Sequence, residues 1–188
     1  MRVVGGEFRG RPLATPEGEG IRPTSDRVRQ TLFDILAHAH GDAARGARVL
    51  DLFAGTGALG IEALSRGARH VLFVEEAAEA RALIRRNVEA FNLTGRTRIF
   101  RRDATRLGEA GAGQFDLVFA DPPYGKGLGE AALAAAQAGG WLAPAALCVL
   151  EESAAAGLAP IAGLAPLDER VIGDTRLAFY RAGDIADR

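Results

Sequence analysis

The sequence is poor in the residues that mark several common classes of protein. Its 188 residues include one cysteine, Cys148, so no disulfide bond can form within the chain. The three histidines have no metal-ligand spacing, and we predict that the protein holds no metal. No apolar run approaches the roughly 20 residues of a membrane-spanning helix. These shortages argue against a disulfide-stapled secreted domain, a zinc site and a membrane span.

Lysine is nearly absent as well, and the chain has no excess of positive charge. Lys126 is the only lysine, so arginine supplies almost all of the 23 basic side chains, against 24 acidic ones. The formal net charge is −1. Because many nucleic-acid-binding proteins are strongly basic, a nucleic-acid partner would have to contact a local basic patch of this protein. Arginine suits such a patch, since its planar fork matches phosphate oxygens.

Length and composition indicate one globular domain. Hydrophobic residues make up 48% of the chain and charged residues 25%, which is close to average usage. A chain of this length buries a sizeable core without disulfides. The first residues lack the apolar core of a signal peptide. We therefore predict a cytoplasmic monomer with an N-terminal arm over residues 1–20 and one domain over residues 21–188.

From residue 47 onward, strand-like and helix-like apolar patterns alternate. The strands are predicted at residues 49–52, 71–74, 97–100, 115–120 and 145–150, and the helices between them at 57–65, 77–91 and 130–138. A helix over residues 28–39 comes earlier, and a hairpin over residues 167–172 and 177–180 closes the chain. This order predicts an α/β fold with a mainly parallel, Rossmann-like sheet that has helices on both faces. A small β-hairpin over residues 2–13 precedes it.

A glycine-rich loop follows the first strand of this predicted sheet. Gly55, Gly57 and Gly60 fit the G-x-G-x-x-G pattern, which alone is a weak sign of a nucleotide cofactor. Glycines let the backbone approach a ligand closely, and ligands of open α/β sheets bind at the carboxyl ends of the strands. Glu75 ends the second strand, where a carboxylate can accept hydrogen bonds from both hydroxyls of a ribose. NAD and S-adenosylmethionine both contain such a ribose.

Asp51 favours S-adenosylmethionine over NAD. It directly precedes the glycine loop, where a carboxylate would repel a pyrophosphate but suits the ammonium and sulfonium groups of S-adenosylmethionine. Asp103, after the third strand, is placed either to accept a hydrogen bond from the adenine amino group or to cap the turn that follows. The cofactor residues predicted at this edge are Asp51, Phe53, Ala54, Gly55, Gly57, Glu75, Asp103 and Ala104.

The sequence Asp121-Pro122-Pro123-Tyr124 follows the fourth strand and opens onto the same cleft. An exocyclic amine of a base is a poor nucleophile, because its lone pair is delocalised into the ring. The Asp121 carboxylate and the Pro122 carbonyl would accept both N–H groups and direct the lone pair toward a methyl donor, and the prolines would hold both acceptors rigidly. Tyr124 would stack on the flipped-out base. We interpret these four residues as the catalytic segment of an amino methyltransferase.

Further segments make the resemblance to one family specific. Residues 5–11 (GGEFRGR), 21–29 (IRPTSDRVR) and 140–142 (GWL), with the glycine loop and the tetrapeptide, resemble the bacterial 16S ribosomal RNA guanine-N2 methyltransferases over nearly the whole chain. The resemblance implies a class I methyltransferase fold with a seven-stranded sheet and an N-terminal hairpin, S-adenosylmethionine as cofactor, and a guanine of small-subunit rRNA as substrate. Ala77 departs from the family, which often has an acidic or amide residue there, so the ribose and adenine contacts stay open.

The resemblance also implies roles for basic residues near the N-terminus. Arg22 and Thr24 are assigned to the cofactor site, near the methionine end of the donor. The residues expected to contact RNA are Arg2, Arg9, Arg11, Arg27 and Lys126.

Three other functions remain open at this point. An adenine-N6 DNA methyltransferase would use the same tetrapeptide, but such enzymes usually carry an added target-recognition domain. A dehydrogenase or NAD-sensing module would use the glycine loop but has no need of the tetrapeptide. A non-catalytic ribosome-assembly factor would bind RNA through the arm.

The single cysteine bears on which atom is methylated. Cys148 lies within a predicted strand, so no cysteine is placed for carbon methylation of pyrimidines. This favours methylation of nitrogen.

Overall fold

A computed structural model describes residues 1–16, 25–111 and 113–183 of the chain. The described part contains four α-helices and a seven-stranded sheet. The helices are α1 Asp26–His38, α2 Ala58–Ser65, α3 Ala78–Ala90 and α4 Leu128–Ala138. The strands are β1 Arg48–Leu52, β2 His70–Val74, β3 Thr97–Phe100, β4 Phe115–Ala120, β5 Leu142–Ser153, β6 Leu164–Ile172 and β7 Thr175–Ala182. No helix in these ranges is long and apolar enough to cross a membrane.

The sheet has the strand order β3-β2-β1-β4-β5-β7-β6. The strands β1 to β5 run parallel, and β7 is antiparallel to both β5 and β6. The strand order reverses at β1, whose neighbours are β2 on one side and β4 on the other. The last residue of β1, Leu52, is in register with Val74 of β2 and Ala120 of β4. The loops after these three strands therefore leave the sheet at one edge, where ligands of such folds bind.

The central strands are buried on both sides, as their continuous apolar sequences predict. On one face, α1, α2 and α3 pack with the N-terminal residues into a core that includes Val3, Phe8, Phe33 and Ile84. On the other face, α4 packs into a second core around Trp141, which is 1% exposed. The prediction of a mainly parallel sheet with helices on both faces is thus confirmed.

The predicted N-terminal hairpin is present. An antiparallel bridge joins Arg2 to Pro12, and backbone hydrogen bonds of 3.0 Å and 3.1 Å flank it, between residues 3 and 11 and between residues 13 and 1. The hairpin docks on α2, where the buried Glu62 carboxylate accepts the backbone N–H groups of Val4 and Gly5, both at 2.8 Å. Ser65 Oγ accepts another from Phe8 at 2.9 Å. The helix thus satisfies backbone N–H groups that the short hairpin does not pair itself.

Several element boundaries also differ from the predictions. The fifth strand starts at Leu142 rather than 145, and the closing hairpin strands extend further at both starts. The pairing of β4 with β5 shifts register between Phe115 and Leu117, and Ala145 has a φ of 58°. Such a bulge interrupts the apolar run that the prediction used. The predicted arm boundary at residue 20 falls outside the described residues.

Candidate functional site

The glycine loop leaves β1 in a conformation that its sequence allows. Phe53, Gly55 and Gly57 have φ angles of 57°, 56° and 79°. A Cβ at Gly60 would lie 2.4 Å from Phe73 Cε1, so this glycine lets α2 pack on β2. A Cβ at Gly55 would meet only the Phe53 carbonyl oxygen, at 3.9 Å. Gly55 therefore borders open space and Gly60 serves packing, a division that the sequence pattern does not reveal.

Asp51 lies beneath this loop and is 1% exposed. Its Oδ2 accepts the backbone N–H of Gly60 at 3.0 Å, near the start of α2. Burial raises the pKa of Asp51 well above its ordinary value, and the charges of Asp121 and Glu75 raise it further, while the hydrogen bond from Gly60 opposes the rise. Asp121 and Glu75 thus lie close enough to influence the titration of Asp51, so three carboxyl groups converge at this edge of the sheet.

Glu75 joins the end of β2 to the glycine loop. Its Oε2 accepts the Gly55 backbone N–H at 2.9 Å, and its Oε1 accepts that of Ala77 at 2.8 Å. Each carboxylate oxygen has a second lone pair. The side chain can therefore hold the loop and still accept hydrogen bonds from a ribose, and the ribose contact stays a prediction.

Asn87 is a further residue of the site that our reading of the sequence missed. It is 1% exposed and lies on α3. Its Nδ2 donates to the carbonyls of Thr56, at 3.0 Å, and Ala14, at 3.1 Å, while its Oδ1 accepts the Ala14 N–H at 2.7 Å. One amide thus links the N-terminal segment to the glycine loop. The sequence does contain a signal for it, because Asn87 is a polar residue on the same helix face as the apolar Ile84 and Val88.

A cavity of about 430 Å³ lies beside the glycine loop. Asp103 borders it and caps the following 3-10 turn, because its Oδ1 accepts the backbone N–H of Thr105 at 2.9 Å and the Thr105 hydroxyl at 2.7 Å. Both hydrogen bonds lower the pKa of Asp103, and the one from the Thr105 hydroxyl has the larger effect. Capping is therefore observed, and the adenine contact stays a prediction. The residues that line the cavity include Phe53, Glu75, Arg102, Asp103, Ala104 and Pro123.

The tetrapeptide begins directly after β4, across from the glycine loop. The Asp121 backbone N–H donates to the Leu52 carbonyl at 3.5 Å. Pro122 is buried and Pro123 is exposed. The Tyr124 hydroxyl donates to Glu151 Oε1 at 2.6 Å. The structure therefore brings the predicted catalytic and cofactor segments to one cleft.

The residues predicted to contact RNA are all on the surface. Arg2, Arg9, Arg11, Arg27 and Lys126 are exposed. The Arg11 side chain also contacts the rest of the protein. Its Nη2 donates to the Ala90 carbonyl at 2.6 Å, and its guanidinium lies 4.1 Å from the centre of the Phe91 ring. Arg22 and Thr24, assigned to the cofactor, fall within residues 17–24, outside the described residues.

Comparisons with known proteins agree with this architecture. The chain is 37% identical over 183 residues to the Ribosomal RNA small subunit methyltransferase D of Escherichia coli, which covers 96% of this chain and 89% of that protein. It is 34% identical over 155 residues to the protein of the same name from Haemophilus influenzae, covering 80% of this chain and 78% of the other.

Solved structures show the same fold. The Escherichia coli protein yhhF matches with a TM-score of 0.81 at 34% identity, over 97% of this chain and 98% of that one. A Thermus thermophilus 16S rRNA N2 methyltransferase in complex with AdoMet and guanosine matches with a TM-score of 0.65 at 22% identity, over 85% of this chain and 44% of that one, and supports the fold alone. The family described as Conserved hypothetical protein 95 matches residues 1–181. The chain therefore belongs to that family and has a class I methyltransferase fold, as its motifs predict.

Proposed function

We propose that this protein transfers a methyl group from S-adenosylmethionine to the exocyclic N2 amine of a guanine in 16S rRNA. The observation that carries the proposal is that Asp51 and Glu75, which hold the glycine loop, and Asp121, whose N–H donates to Leu52 at the end of β1, lie at one edge of the sheet beside a cavity lined by acidic residues. A negative cleft suits a cationic donor. Two relatives, which are 37% and 34% identical to this chain over the aligned residues, are named as small-subunit rRNA methyltransferases.

The residues at this edge fit S-adenosylmethionine. Gly55 borders open space that a side chain would fill. The adjoining cavity is lined by Phe53, by one basic residue, Arg102, and by three acidic residues, Glu75, Glu76 and Asp103. Glu75 would hold the ribose and Asp103 the adenine amino group. When bound, the sulfonium supplies an electrophilic methyl group. The protein contributes the rigid loop, the carboxylates and the cavity.

Asp121 and Pro122 would orient the guanine amine. Pro122 is buried, and the two successive prolines restrict the backbone, so the carboxylate and the carbonyl are held before the base arrives. Acceptors that are placed in advance cost no reorganisation during the reaction. Asp121 would orient the amine through its N–H groups and could take up the proton it releases. Tyr124 would stack on the base plane.

The RNA would contact the exposed arginines of the N-terminal segment, Arg2, Arg9 and Arg11. The chain as a whole carries a net charge of −1, so the attraction to phosphate has to be local. Asn87 fastens the end of this segment to the glycine loop. A bound RNA would therefore lie next to the donor site.

Methyl transfer is tested with labelled S-adenosylmethionine and three substrates: unmodified 30S particles, naked 16S rRNA and duplex DNA. Digestion to nucleosides should place the label in N2-methylguanosine from the rRNA or the particle, and the comparison shows which form is the substrate. Label in N6-methyladenine from DNA would replace the proposal with an adenine methyltransferase. Absence of label from all three would favour a non-catalytic RNA-binding factor.

A further inference from the structure

Two buried carboxylates at the end of β5 hold the loop that contains the tetrapeptide. Glu151 is 5% exposed and Glu152 is 2% exposed. The Tyr124 hydroxyl donates to Glu151 Oε1 at 2.6 Å and lies 3.5 Å from the hydroxyl of Thr175 on β7. The Gly125 N–H donates to both carboxylate oxygens of Glu152 at 3.0 Å. The loop is thus fastened at two successive residues, each to a carboxylate 27 positions further along the chain.

The backbone alone does not fix the direction of the Tyr124 ring. Gly125 and Gly127 have φ angles of 75° and 63°, and residues 125–127 are exposed. Glycine at such angles has wide conformational freedom. Pro122 and Pro123 restrict the loop before the tyrosine but not after it. The ring is held by the hydrogen bond at its far end, to a carboxylate that packing has already placed.

The phenol of Tyr124 acts as a donor and not as a base. Burial raises its pKa, and acceptance by Glu151 raises it further, against a smaller opposing effect of Thr175. The group therefore stays protonated at neutral pH and keeps its hydrogen bond to Glu151. A buried carboxylate requires such a partner, because burying its charge alone is unfavourable.

We propose that Glu151 is a positioning residue that fixes the direction of the Tyr124 side chain, so that the ring is held in place as a stacking surface for the target base. Glu152 holds the exit of the same loop at Gly125. The inference rests on the proposed function, in which Tyr124 stacks on the base. It adds that Glu151, which lies outside the tetrapeptide, determines how well the target base binds.

A set of substitutions separates positioning from mere stability. E151L removes the acceptor, whereas E151Q keeps an amide oxygen in the same place. The double variant of E151L with Y124F removes both polar partners, and such paired apolar replacement is nearly neutral for stability. E109Q, at an exposed position in the loop before β4, is the control for loss of one negative charge.

We expect E151L to lower kcat/KM for RNA by about tenfold or more, with donor affinity unchanged. E151Q should recover most of that loss. The double variant should recover thermal stability but not kcat/KM, because its ring is no longer held. Recovery of both quantities in the double variant would assign Glu151 a purely structural role and overturn the proposal.

A spectroscopic readout makes the test independent of methylation. The chain has two tyrosines, Tyr124 and Tyr180. NMR of ring-labelled tyrosine should show that E151L averages or shifts the Tyr124 signal and leaves that of Tyr180, on β7, in place. An unchanged Tyr124 signal in E151L would overturn the positioning role alone. Ordered spectra from a wild-type protein that methylates no nucleic acid would instead refute the proposed function, and with it the stacking surface.

Discussion

The glycine loop and the tetrapeptide loop leave the same edge of the sheet but are shaped by opposite means. The glycine loop uses residues at positive φ, among them Phe53 at 57° and Gly55 at 56°, which bring the backbone close to the cleft. The tetrapeptide loop uses two prolines, which narrow the backbone's choices. The first loop can therefore wrap a ligand with main-chain atoms, whereas the second presents side chains and a carbonyl at fixed positions.

The two loops also differ in where their anchors lie. The glycine loop is held by Glu75, from the neighbouring strand, and by Asn87, from the helix after it. The tetrapeptide loop is held by Glu151 and Glu152, from β5. Each loop thus depends on a different half of the chain. We infer that donor binding and base orientation can be impaired separately, and the predictions below aim at that separation.

The largest effect is expected from Asp121→Asn. The amide keeps the size of the side chain but loses the charge that orients the amine and takes up a proton, and such groups contribute on the order of a hundredfold to ten thousandfold in rate. Single-turnover methylation of 16S rRNA should show a fall in this range. A rate close to that of wild type would remove Asp121 from the chemistry.

The next largest effect is expected from Asn87→Ala, on stability. The change removes the hydrogen bonds of one buried backbone group of Thr56 and two part-buried groups of Ala14, and we expect a loss of about 3 kcal/mol in the free energy of unfolding. Asn87→Asp keeps the acceptor for the Ala14 N–H but turns a buried carboxylate oxygen toward the two carbonyl oxygens, so it should lose more. Denaturant titration that shows equal losses for the two variants would contradict the role of the donated bonds.

A pair of glycine substitutions contrasts packing with ligand binding. Gly60→Ala places a Cβ 2.4 Å from buried Phe73, and we expect it to cost about 2 kcal/mol of stability. Gly55→Ala meets open space and should cost about 1 kcal/mol through its positive φ. Calorimetry should show that Gly55→Ala weakens donor binding more than Gly60→Ala does. A larger loss of donor binding in Gly60→Ala would show that the donor does not bind beside Gly55.

The smallest effect is expected from Arg9→Gln, in the exposed N-terminal segment. Loss of one phosphate contact should lower the salt dependence of RNA binding by about one charge, while stability stays constant. Arg170→Gln, on the edge strand β6, serves as the control. Equal salt slopes for wild type and Arg9→Gln would exclude this arginine from the interface.

The fold was largely predictable because its signals are local. Continuous apolar strands alternate with amphipathic helices, and the glycine loop and Asp121 each follow such a strand directly. Parallel pairing then brings their ends to one edge. The N-terminal hairpin was predicted but its docking on α2 was not, because the acceptor, Glu62, lies more than fifty positions away along the chain.

The anchors of the two loops were not predicted, except for Glu75, which was assigned to a ribose. Glu151 and Glu152 end a parallel strand, as Glu75 follows one, so the same rule would have placed them at this edge. Their partners, Tyr124 and Gly125, are set by tertiary packing and have no signature in the sequence. Asn87 stood out only as a polar residue on a buried helix face, and its three backbone partners could not be read from that position.

Donor affinity of the Asp121→Asn variant tests the separation of the two loops most directly. Titration calorimetry with S-adenosylmethionine should give a dissociation constant close to that of the wild-type protein, although the same preparation transfers methyl groups far more slowly. This result would show that Asp121 acts on the base and is not needed to bind the donor. Loss of donor binding in parallel with the rate would contradict the account, because Asp121 would then belong to the donor site along with Glu75.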